Sequence, residues 1–192
     1  MNDKKDRRSQ RTRQLLSEAL VELIREKGYD SITVSDIIQR ANVGRSTFYA
    51  HYRDKDDLFV GEMDRVIEVL GQRVPDTQET LFFPSLGLFR HVGEEYELYK
   101  ALVWTPGIDL LIKHMQKLLS QRIKLGLERS GQSYDLPLPI LANFIAGNFL
   151  TLLKWWLENR RIYSPEQMDE IFKKLTLQGI QSQDFLDLTH KK

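Results

Sequence analysis

Residues 33–58 read TVSDIIQRANVGRSTFYAHYRDKDDL, and this segment decides the fold. Thr33, with an acidic residue three positions later, is typical of a helix N-terminus, so we expect a short helix that ends near Arg40–Ala41. The next three residues, Asn42-Val43-Gly44, predict a tight turn because Asn and Gly tolerate unusual backbone angles. A second helix of two turns is expected over Arg45–Tyr52. Two such helices in succession have the proportions of a helix-turn-helix, whose second helix enters the DNA major groove.

The two helices divide their residue types between an inner and an outer face. The side chains expected to pack inward are Ile37, Ile38, Val43 and Phe48. The outer surface is polar and aromatic, and the residues predicted to contact DNA are Thr33, Ser35, Arg45, Ser46, Thr47, Tyr49, His51, Tyr52 and Lys55. Arg45 can donate to a guanine edge, while Thr47 and Tyr49 can offer a hydroxyl or meet a thymine methyl. The hydroxyls at the start of the first helix, together with Tyr52 and Lys55, are suited to phosphates.

The flanking sequence completes a small helical domain. Apolar spacing predicts a first helix over about Gln10–Lys27, and Gly28 is expected to stop it. Asp54 can cap a further helix that runs to about Arg73. Residues 1–13 carry six basic and two acidic side chains, a local charge of +4, although the whole chain has 28 basic and 27 acidic residues. A basic arm next to a helix-turn-helix favours a nucleic-acid partner, whereas the overall balance alone argues against one.

The remaining sequence also has helical periodicity. Residues 74–83 hold Pro, Asp, Thr and Gln and mark a linker. Beyond it, helices are predicted over about 84–91, 94–104, 106–130, 138–160 and 165–181. The expected breaks fall at Gly93, Thr105-Pro106-Gly107, Ser130-Gly131-Gln132 and Ser164-Pro165. No segment alternates polar and apolar residues in the manner of a strand, so the predicted fold class is all-α with about nine helices.

Residues 33–58 resemble the DNA-binding domain of the tetracycline-repressor (TetR) family of bacterial transcription regulators, in the pattern T-x-x-D-I-x-x-x-A-x-V-x-x-x-T-F-Y-x-H-Y-x-x-K-D-x-L. The resemblance covers about residues 8–68, with the helix-turn-helix at about 33–52. It implies an N-terminal three-helix DNA-binding domain and a C-terminal helical ligand-binding and dimerisation domain over about 75–183. It further implies a homodimer on a near-palindromic double-stranded DNA operator, and a small-molecule effector that lowers DNA affinity.

The C-terminal part carries a second resemblance. Residues 144–159 and 164–168 are similar to a region of a Firmicute subgroup of TetR-type regulators, some of them linked to dihydroxyacetone kinase. Within this part, residues 136–153 form 18 consecutive uncharged positions, long enough to raise a transmembrane helix. Pro137, Pro139 and the polar amphipathic neighbours argue against that, so we expect a helix buried both in its own domain and against a partner. In TetR-like proteins the last two long helices form a four-helix dimer interface, and these two fit that role.

Aromatic side chains with a few polar groups could line a ligand pocket in the second domain. The candidates are Phe89, Tyr96, Tyr99, Trp104, Met115, Phe144, Asn148 and Trp155. Ordinary core packing is the alternative for each aromatic residue, whereas Asn148 needs a polar partner inside an apolar helix. His91 and His114 complete no metal-ligand pattern, since Glu94 and Glu95 are expected to be solvated, so neither a metal nor a cofactor is predicted.

Function follows from the joint pattern of residues 33–58 and the basic arm. We predict a sequence-specific DNA-binding transcriptional regulator, a repressor that a small ligand releases. The alternative is a TetR-fold adaptor or coactivator that works through a protein partner. An enzyme is disfavoured because no Ser/His/Asp, Cys/His, paired-carboxylate or phosphate-loop arrangement is visible. Thiol redox sensing is excluded by the lack of cysteine, and a cytoplasmic location without a membrane partner is expected because the N-terminus lacks the apolar stretch of a secretory signal.

Overall fold

In the computed structural model, which describes residues 3–72 and 83–181, the described chain is helical and contains no strand. The helices are α1 (Asp3–Lys27), α2 (Val34–Ala41), α3 (Arg45–Tyr49), α4 (Lys55–Gln72), α5 (Ser85–Glu94), α6 (Tyr96–Val103), α7 (Pro106–Arg129), α8 (Leu138–Glu158) and α9 (Pro165–Gln181). A short 3-10 helix, Tyr29–Ser31, follows α1. The all-α prediction is confirmed, and the nine α-helices of the described ranges match the expected number.

Outside the helix-turn-helix, the start of the first helix and the end of α5 differ from the prediction. The first helix begins at Asp3 rather than Gln10, so the basic arm continues the helix instead of preceding it. The helix α5 runs through Gly93 to Glu94, although Gly93 was predicted to break it. A Cβ at Gly93 would lie 3.3 Å from Cη2 of Trp156, so the glycine makes room for an indole ring rather than for a turn. Most of the predicted linker, 74–83, lies outside the described residues.

Close packing divides the described chain into two units. The first combines the residues up to Gln72 with Glu95–Met115, and the second combines 83–94 with the residues from Gln116 onward. One contact shows why the start of α7 belongs to the first unit. His114 Nε2 lies 2.7 Å from Asp64 Oδ1 and so ties α7 to α4. The domain boundaries predicted from the sequence, 8–68 and 75–183, follow the linker and do not include such long-range contacts. They remain a proposal about functional domains.

The first unit is built around α1, which packs against α2, α4 and α6. The buried side chains of its inward face are Leu16, Ala19, Leu20, Leu23 and Ile24. Gly28 ends the helix as predicted, with a φ of 74° that favours glycine. Arg40 of α2 forms ion pairs with Glu22 at 3.0 Å and Glu26 at 2.6 Å. These partly exposed pairs link α2 to α1.

Tyr29 joins the start of α7 to the start of α4. Its ring is 3% exposed and lies 4.9 Å from the Phe59 ring between centroids, and its hydroxyl donates to the Asp56 carboxylate. A Cβ added at Gly107 would come within 2.8 Å of Cδ1 of Tyr29, closer than real Cβ atoms approach. The contact between this corner and Tyr29 therefore requires glycine at position 107.

Gly107→Ala is expected to lower the free energy of unfolding by about 1–3 kcal/mol, because the new methyl must displace a buried aromatic ring. Urea unfolding followed by circular dichroism measures the loss. Gly61→Ala is the matched control in the same unit, since its Cβ would meet Tyr52 at 3.4 Å, the edge of ordinary contact. That control should be neutral or stabilising by about 0.5–1 kcal/mol through helix propensity. Equal losses in the two variants would contradict the assigned role of Gly107.

The second unit has an aromatic centre where α5 and α8 pack with α9. Phe149 is fully buried and meets Phe83, Phe89 and Phe172 edge to face, at centroid distances of 5.0, 5.0 and 5.3 Å. Trp156 continues the cluster at 5.7 Å from Phe89. Such edge-to-face pairs add to the free energy of burial, so this cluster dominates the core of the unit.

One face of α8 is apolar and exposed. Ile140 is 60% exposed, Phe144 57% and Trp155 41%, and their spacing places them on one side of the helix. The opposite side is buried in the unit's own core, which confirms the inward half of the predicted double burial. Among the described residues, α8 is the one helix long and apolar enough to cross a membrane, with a mean hydropathy of 1.3. Core helices of folded proteins have the same mean hydropathy. The feature of α8 that distinguishes it is therefore its exposed apolar face.

Candidate nucleic-acid interface

The helix-turn-helix begins with a complete capping box at the start of α2. The backbone N–H of Asp36 donates to Thr33 Oγ1 at 3.2 Å, and the backbone N–H of Thr33 donates to Asp36 Oδ2 at 2.7 Å. This is the predicted pattern, and it confirms Thr33 as the N-cap. The pKa of Asp36 is held well below its ordinary value. The Lys27 ammonium makes the largest contribution, and hydrogen bonds from the Thr33 hydroxyl and amide add to it. The Thr33 hydroxyl is engaged in the cap, whereas Ser35 in the first turn of α2 is exposed.

The turn between α2 and α3 depends on Asn42. Its backbone is left-handed, with φ 51° and ψ 47°, and the next amide, of Val43, donates to the Ile38 carbonyl at 3.2 Å. Gly44, by contrast, has an extended backbone with φ −74° and ψ 150°. A Cβ there would meet Thr47 Oγ1 at an ordinary 3.6 Å. The expectation that Gly44 supplies an unusual backbone angle is therefore wrong, and Asn42 alone shapes the turn.

The recognition helix α3 is shorter than predicted. It ends at Tyr49, not Tyr52, and the amides of His51 and Tyr52 both donate to the Phe48 carbonyl at 2.9 Å. After this turn, Asp54 caps α4 and accepts from the Asp57 amide at 2.7 Å, as the sequence predicted for this residue. Phe48 is fully buried and anchors α3 in the core of the unit.

The outer face of α3 presents Arg45, Ser46 and Tyr49 to solvent, while Thr47 is half-buried. Tyr49 is 48% exposed, and the Arg45 guanidinium carbon lies 5.8 Å from the centroid of its ring. The pair therefore sets a planar cationic donor beside an aromatic surface, which suits base edges and thymine methyl groups. These predicted site residues lie together on one surface.

His51 and Tyr52 lie half-buried just after α3. Burial, with a smaller contribution from the Arg13 guanidinium, lowers the pKa of His51 and so disfavours its charged form. Burial and then the Glu62 carboxylate raise the pKa of Tyr52. Arg13 belongs to the basic arm of residues 1–13, and its effect on these two rings was not predicted from the sequence.

Lys55, predicted as a phosphate contact, is held at the start of α4. Its Nζ donates to the backbone carbonyls of Tyr29 at 2.9 Å and Asp30 at 3.4 Å, and it lies 4.5 Å from the centroid of the Tyr29 ring. Lys55 thus fastens α4 to the short 3-10 helix. The sequence did not indicate Tyr29 as a partner of Lys55, because Tyr29 lies between helices and belongs to no periodic pattern.

Ion pairs neutralise much of the positive charge around the helix-turn-helix. Arg40 pairs with two glutamates, Lys27 with Asp36 at 2.8 Å, and Arg53 with Asp57 at 2.7 Å. Within the described ranges, Arg45 has no ion-pair partner, so its charge remains available at the outer surface. A polar ligand with negative charge is the partner that this surface fits.

Comparison with known families matches both parts of the chain. Residues 16–61 match the model described as bacterial regulatory proteins, tetR family. Residues 80–178, just over half of the chain, match the model described as transcriptional regulator C-terminal region. The chain belongs to the TetR family. It is accordingly a DNA-binding transcriptional regulator.

Individual relatives agree with this assignment. This chain is 46% identical over 54 residues to the uncharacterized HTH-type transcriptional regulator YxbF of Bacillus subtilis (strain 168). The matched stretch spans 28% of this chain and 14% of YxbF. A TetR transcriptional regulator from Streptococcus agalactiae 2603V is 27% identical, with a TM-score of 0.66 over 92% of this chain and 99% of that one. The dihydroxyacetone kinase operon activator DhaS shares the fold at 20% identity, with a TM-score of 0.62 over 88% of this chain and 96% of its own.

The residues predicted for a ligand pocket fall into both units of this TetR-family protein. Tyr96, Tyr99, Trp104 and Met115 belong to the first, and Phe89, Phe144, Asn148 and Trp155 belong to the second. Trp104 is 75% exposed, and Phe144 and Trp155 lie on the exposed face of α8. Phe89 instead packs in the aromatic core. In the part of the chain that the structure describes, no group of three His, Asp or Glu side chains could hold a metal ion.

Proposed function

We propose that this TetR-family protein is a cytoplasmic homodimeric repressor, which binds a near-palindromic DNA operator and leaves it when a small molecule binds. The observation that carries the proposal is the outer face of α3, where an arginine without an ion-pair partner lies beside exposed Ser46 and Tyr49. The capping box, the left-handed Asn42 and the buried Phe48 hold that face in place. The proposal assigns DNA binding to residues 8–68 and regulation to 75–183.

The proposed contacts divide into base edges and phosphates. Arg45 donates to guanine O6 and N7, and Ser46, Thr47 and Tyr49 meet neighbouring base edges. The proposed phosphate contacts are Thr33, Ser35, His51, Tyr52 and Lys55. Since the Lys55 ammonium already binds two carbonyls, we propose that it contributes its charge and orients the first turn of α4 rather than reaching out freely.

A dimer follows from the small size of the recognition helix. A five-residue α3 buries too little surface for specific binding by one copy, so two copies about 34–36 Å apart, one DNA turn, are expected. The exposed apolar face of α8, with Leu175 of α9 63% exposed, is the proposed interface. Pairing of α8 and α9 with the same helices of a second copy would remove this apolar surface from water.

Release by a small molecule is supported by proteins that share the fold. RolR has been solved in complex with resorcinol, and it is 20% identical with a TM-score of 0.63 over 92% of this chain. FadR from Bacillus subtilis has been solved with stearoyl-CoA, and it is 21% identical with a TM-score of 0.61 over 87% of this chain. Titration of a metabolite library into the protein–DNA complex tests this step by loss of the complex.

Arg45→Ala is expected to relax the preference at one base pair of each half-site, at a cost of about 1–3 kcal/mol in specific binding. Gel shifts on DNA from upstream of the protein's own gene, with each base pair varied in turn, measure the change. Lys55→Ala is the comparison variant, expected to weaken all sequences alike because it removes charge from the phosphate-facing surface.

An equal loss from Arg45→Ala on specific and random DNA would show that Arg45 contacts phosphate only. Absence of salt-sensitive binding by the unaltered protein would contradict the proposed function. Regulation that survives both Arg45→Ala and Tyr49→Ala would favour an adaptor that works through a protein partner.

A further inference from the structure

The exposed face of α8 has a carboxamide near its middle. At 100° per residue, five side chains that are exposed or half-buried lie within about 80° of one another around the helix. We call them the α8 stripe, and they are Ile140, Phe144, Asn148, Thr151 and Trp155. Residues 136–153 carry no charge. Position 148 lies within one residue of the midpoint between the two ends of the stripe, so the amide occupies its centre.

The Asn148 side chain is half-buried, and among the described residues it has no hydrogen-bond partner. The other two asparagines of this region are bonded within the unit. Asn143 Oδ1 accepts from Gln116 Nε2 at 2.8 Å, and Asn159 Nδ2 donates to the Trp155 carbonyl at 2.8 Å. Asn148 lies about 140° from Asn143 around α8, so it is turned away from Gln116 of α7. A half-buried amide that its own unit leaves unpaired needs a partner from outside.

A second copy of the chain is the occupant that the chemistry of the stripe selects. A carboxamide has both donor and acceptor groups, so two of them that face each other across a twofold axis form two reciprocal N–H···O=C bonds. A partner that offers only donors or only acceptors would leave half of the Asn148 amide unpaired. Because the stripe is uncharged, two copies of it also meet without like-charge repulsion.

The order of side chains along the stripe fits an antiparallel pairing of the two helices. With the axis at the centre of the stripe, Ile140 lies opposite the partner's Trp155 and Phe144 lies opposite the partner's Thr151. A larger side chain then meets a smaller one at each level, which fills an interface well. A parallel pairing would set Trp155 against the partner's Trp155 and Thr151 against the partner's Thr151, which fills the space unevenly.

We propose that Asn148 lies at the twofold axis of the dimer, where it pairs with the partner's Asn148 and fixes the register in which the two α8 helices meet. A slip by one turn would bury both amides against apolar side chains without hydrogen bonds, which opposes the slip. This inference rests on the proposed dimer interface and goes beyond it, since it names the residue that specifies how the two copies match.

Opposite charges placed in separate copies of the full chain test the position of the axis. Asn148→Asp alone and Asn148→Lys alone should each dimerise about 10²-fold more weakly than the unaltered protein, because like charges then meet across the axis. An equal mixture of the two should recover most of the lost affinity, because a carboxylate then faces an ammonium. Light scattering measures dimer formation, and native mass spectrometry should show mixed dimers almost exclusively.

The matched control is the same pair of charges at position 140. Ile140 belongs to the same stripe but lies opposite the partner's Trp155, so the position-140 charges of two copies are at opposite ends of the interface. Ile140→Asp and Ile140→Lys should each weaken the dimer, because a charge is buried without a partner. Mixing these two variants should give no recovery. Unchanged helical circular dichroism establishes that each variant remains folded.

Three results would overturn the inference. The first is a lack of recovery when the two Asn148 variants are mixed, which would place the axis elsewhere. The second is equal recovery for the Ile140 variants, which would show that the helices pair in parallel. The third is normal dimerisation of both Asn148 variants, which would leave the amide to another occupant such as a small molecule. Normal dimerisation of the Ile140 variants, or a monomeric unaltered protein, would instead contradict the proposed dimer interface, so the two failures are distinguishable.

Discussion

Phe144→Glu is expected to leave a 22.6 kDa monomer where the unaltered protein forms a dimer, and to weaken operator binding by about 10²–10⁴-fold. Phe144 is 57% exposed on α8, on the same side as Ile140 and Trp155. If this face packs against a second copy, the new carboxylate is buried without a partner, which opposes association. Loss of the dimer also removes the gain from binding two half-sites at once. Light scattering measures the mass, and gel shifts measure the affinity.

The control for this prediction is Leu125→Glu, which adds the same charge at a 50% exposed position on α7. It should remain a dimer with unchanged operator affinity. A Phe144→Glu protein that stays dimeric would contradict the proposed interface. If that dimer also fails to respond to a ligand that releases the unaltered protein, Phe144 belongs to the ligand site, as the sequence also allowed.

Phe149→Ala is expected to lower the free energy of unfolding of the second unit by about 3–5 kcal/mol. Phe149 is fully buried and is the ring that Phe83, Phe89 and Phe172 all contact. Its removal leaves a cavity among rigid aromatic side chains that cannot all move inward, so both burial and ring contacts are lost. Urea unfolding followed by tryptophan fluorescence, which reports on the neighbouring Trp156, measures the change.

Leu125→Ala is the comparison for this second prediction, since it truncates a large apolar side chain that is half exposed. Its effect should stay within about 0.5 kcal/mol. A loss below about 1 kcal/mol for Phe149→Ala would show that the cluster repacks and does not dominate the core. Because unfolding of a dimer depends on protein concentration, all variants are compared at one concentration.

Local chemistry made the helix-turn-helix predictable. The capping of α2 by Thr33 and of α4 by Asp54 needs only residues three positions apart, so both were found from the sequence. The end of α3 was not, because the apolar and polar pattern continues to Tyr52 although the helix ends at Tyr49. Gly93 and Gly44 were misread for a related reason. The sequence shows that a glycine is present. Only the surrounding structure shows whether the glycine is needed for an unusual backbone angle or to make room for a neighbouring side chain.

The sequence predicted which residues lie at the candidate site, but it did not predict all of their contacts. Arg45, Ser46 and Tyr49 are exposed together on α3 as expected, because a short helix with Phe48 inward can turn these side chains only outward. That Lys55 binds the carbonyl of Tyr29 depends on a residue 26 positions away, which no local pattern indicates.

By itself the sequence determined the all-α class, the helix-turn-helix and the family, because periodicity, caps and a 26-residue motif are local properties of the chain. Tertiary structure alone decided which residues pack together. It placed α6 and the start of α7 with the N-terminal helices, gave Gly107 its contact with Tyr29, and left one apolar face of α8 exposed while its other face became core. The physical reason is that burial and contact depend on elements far apart in the chain, whereas helix formation and capping depend on residues within one turn.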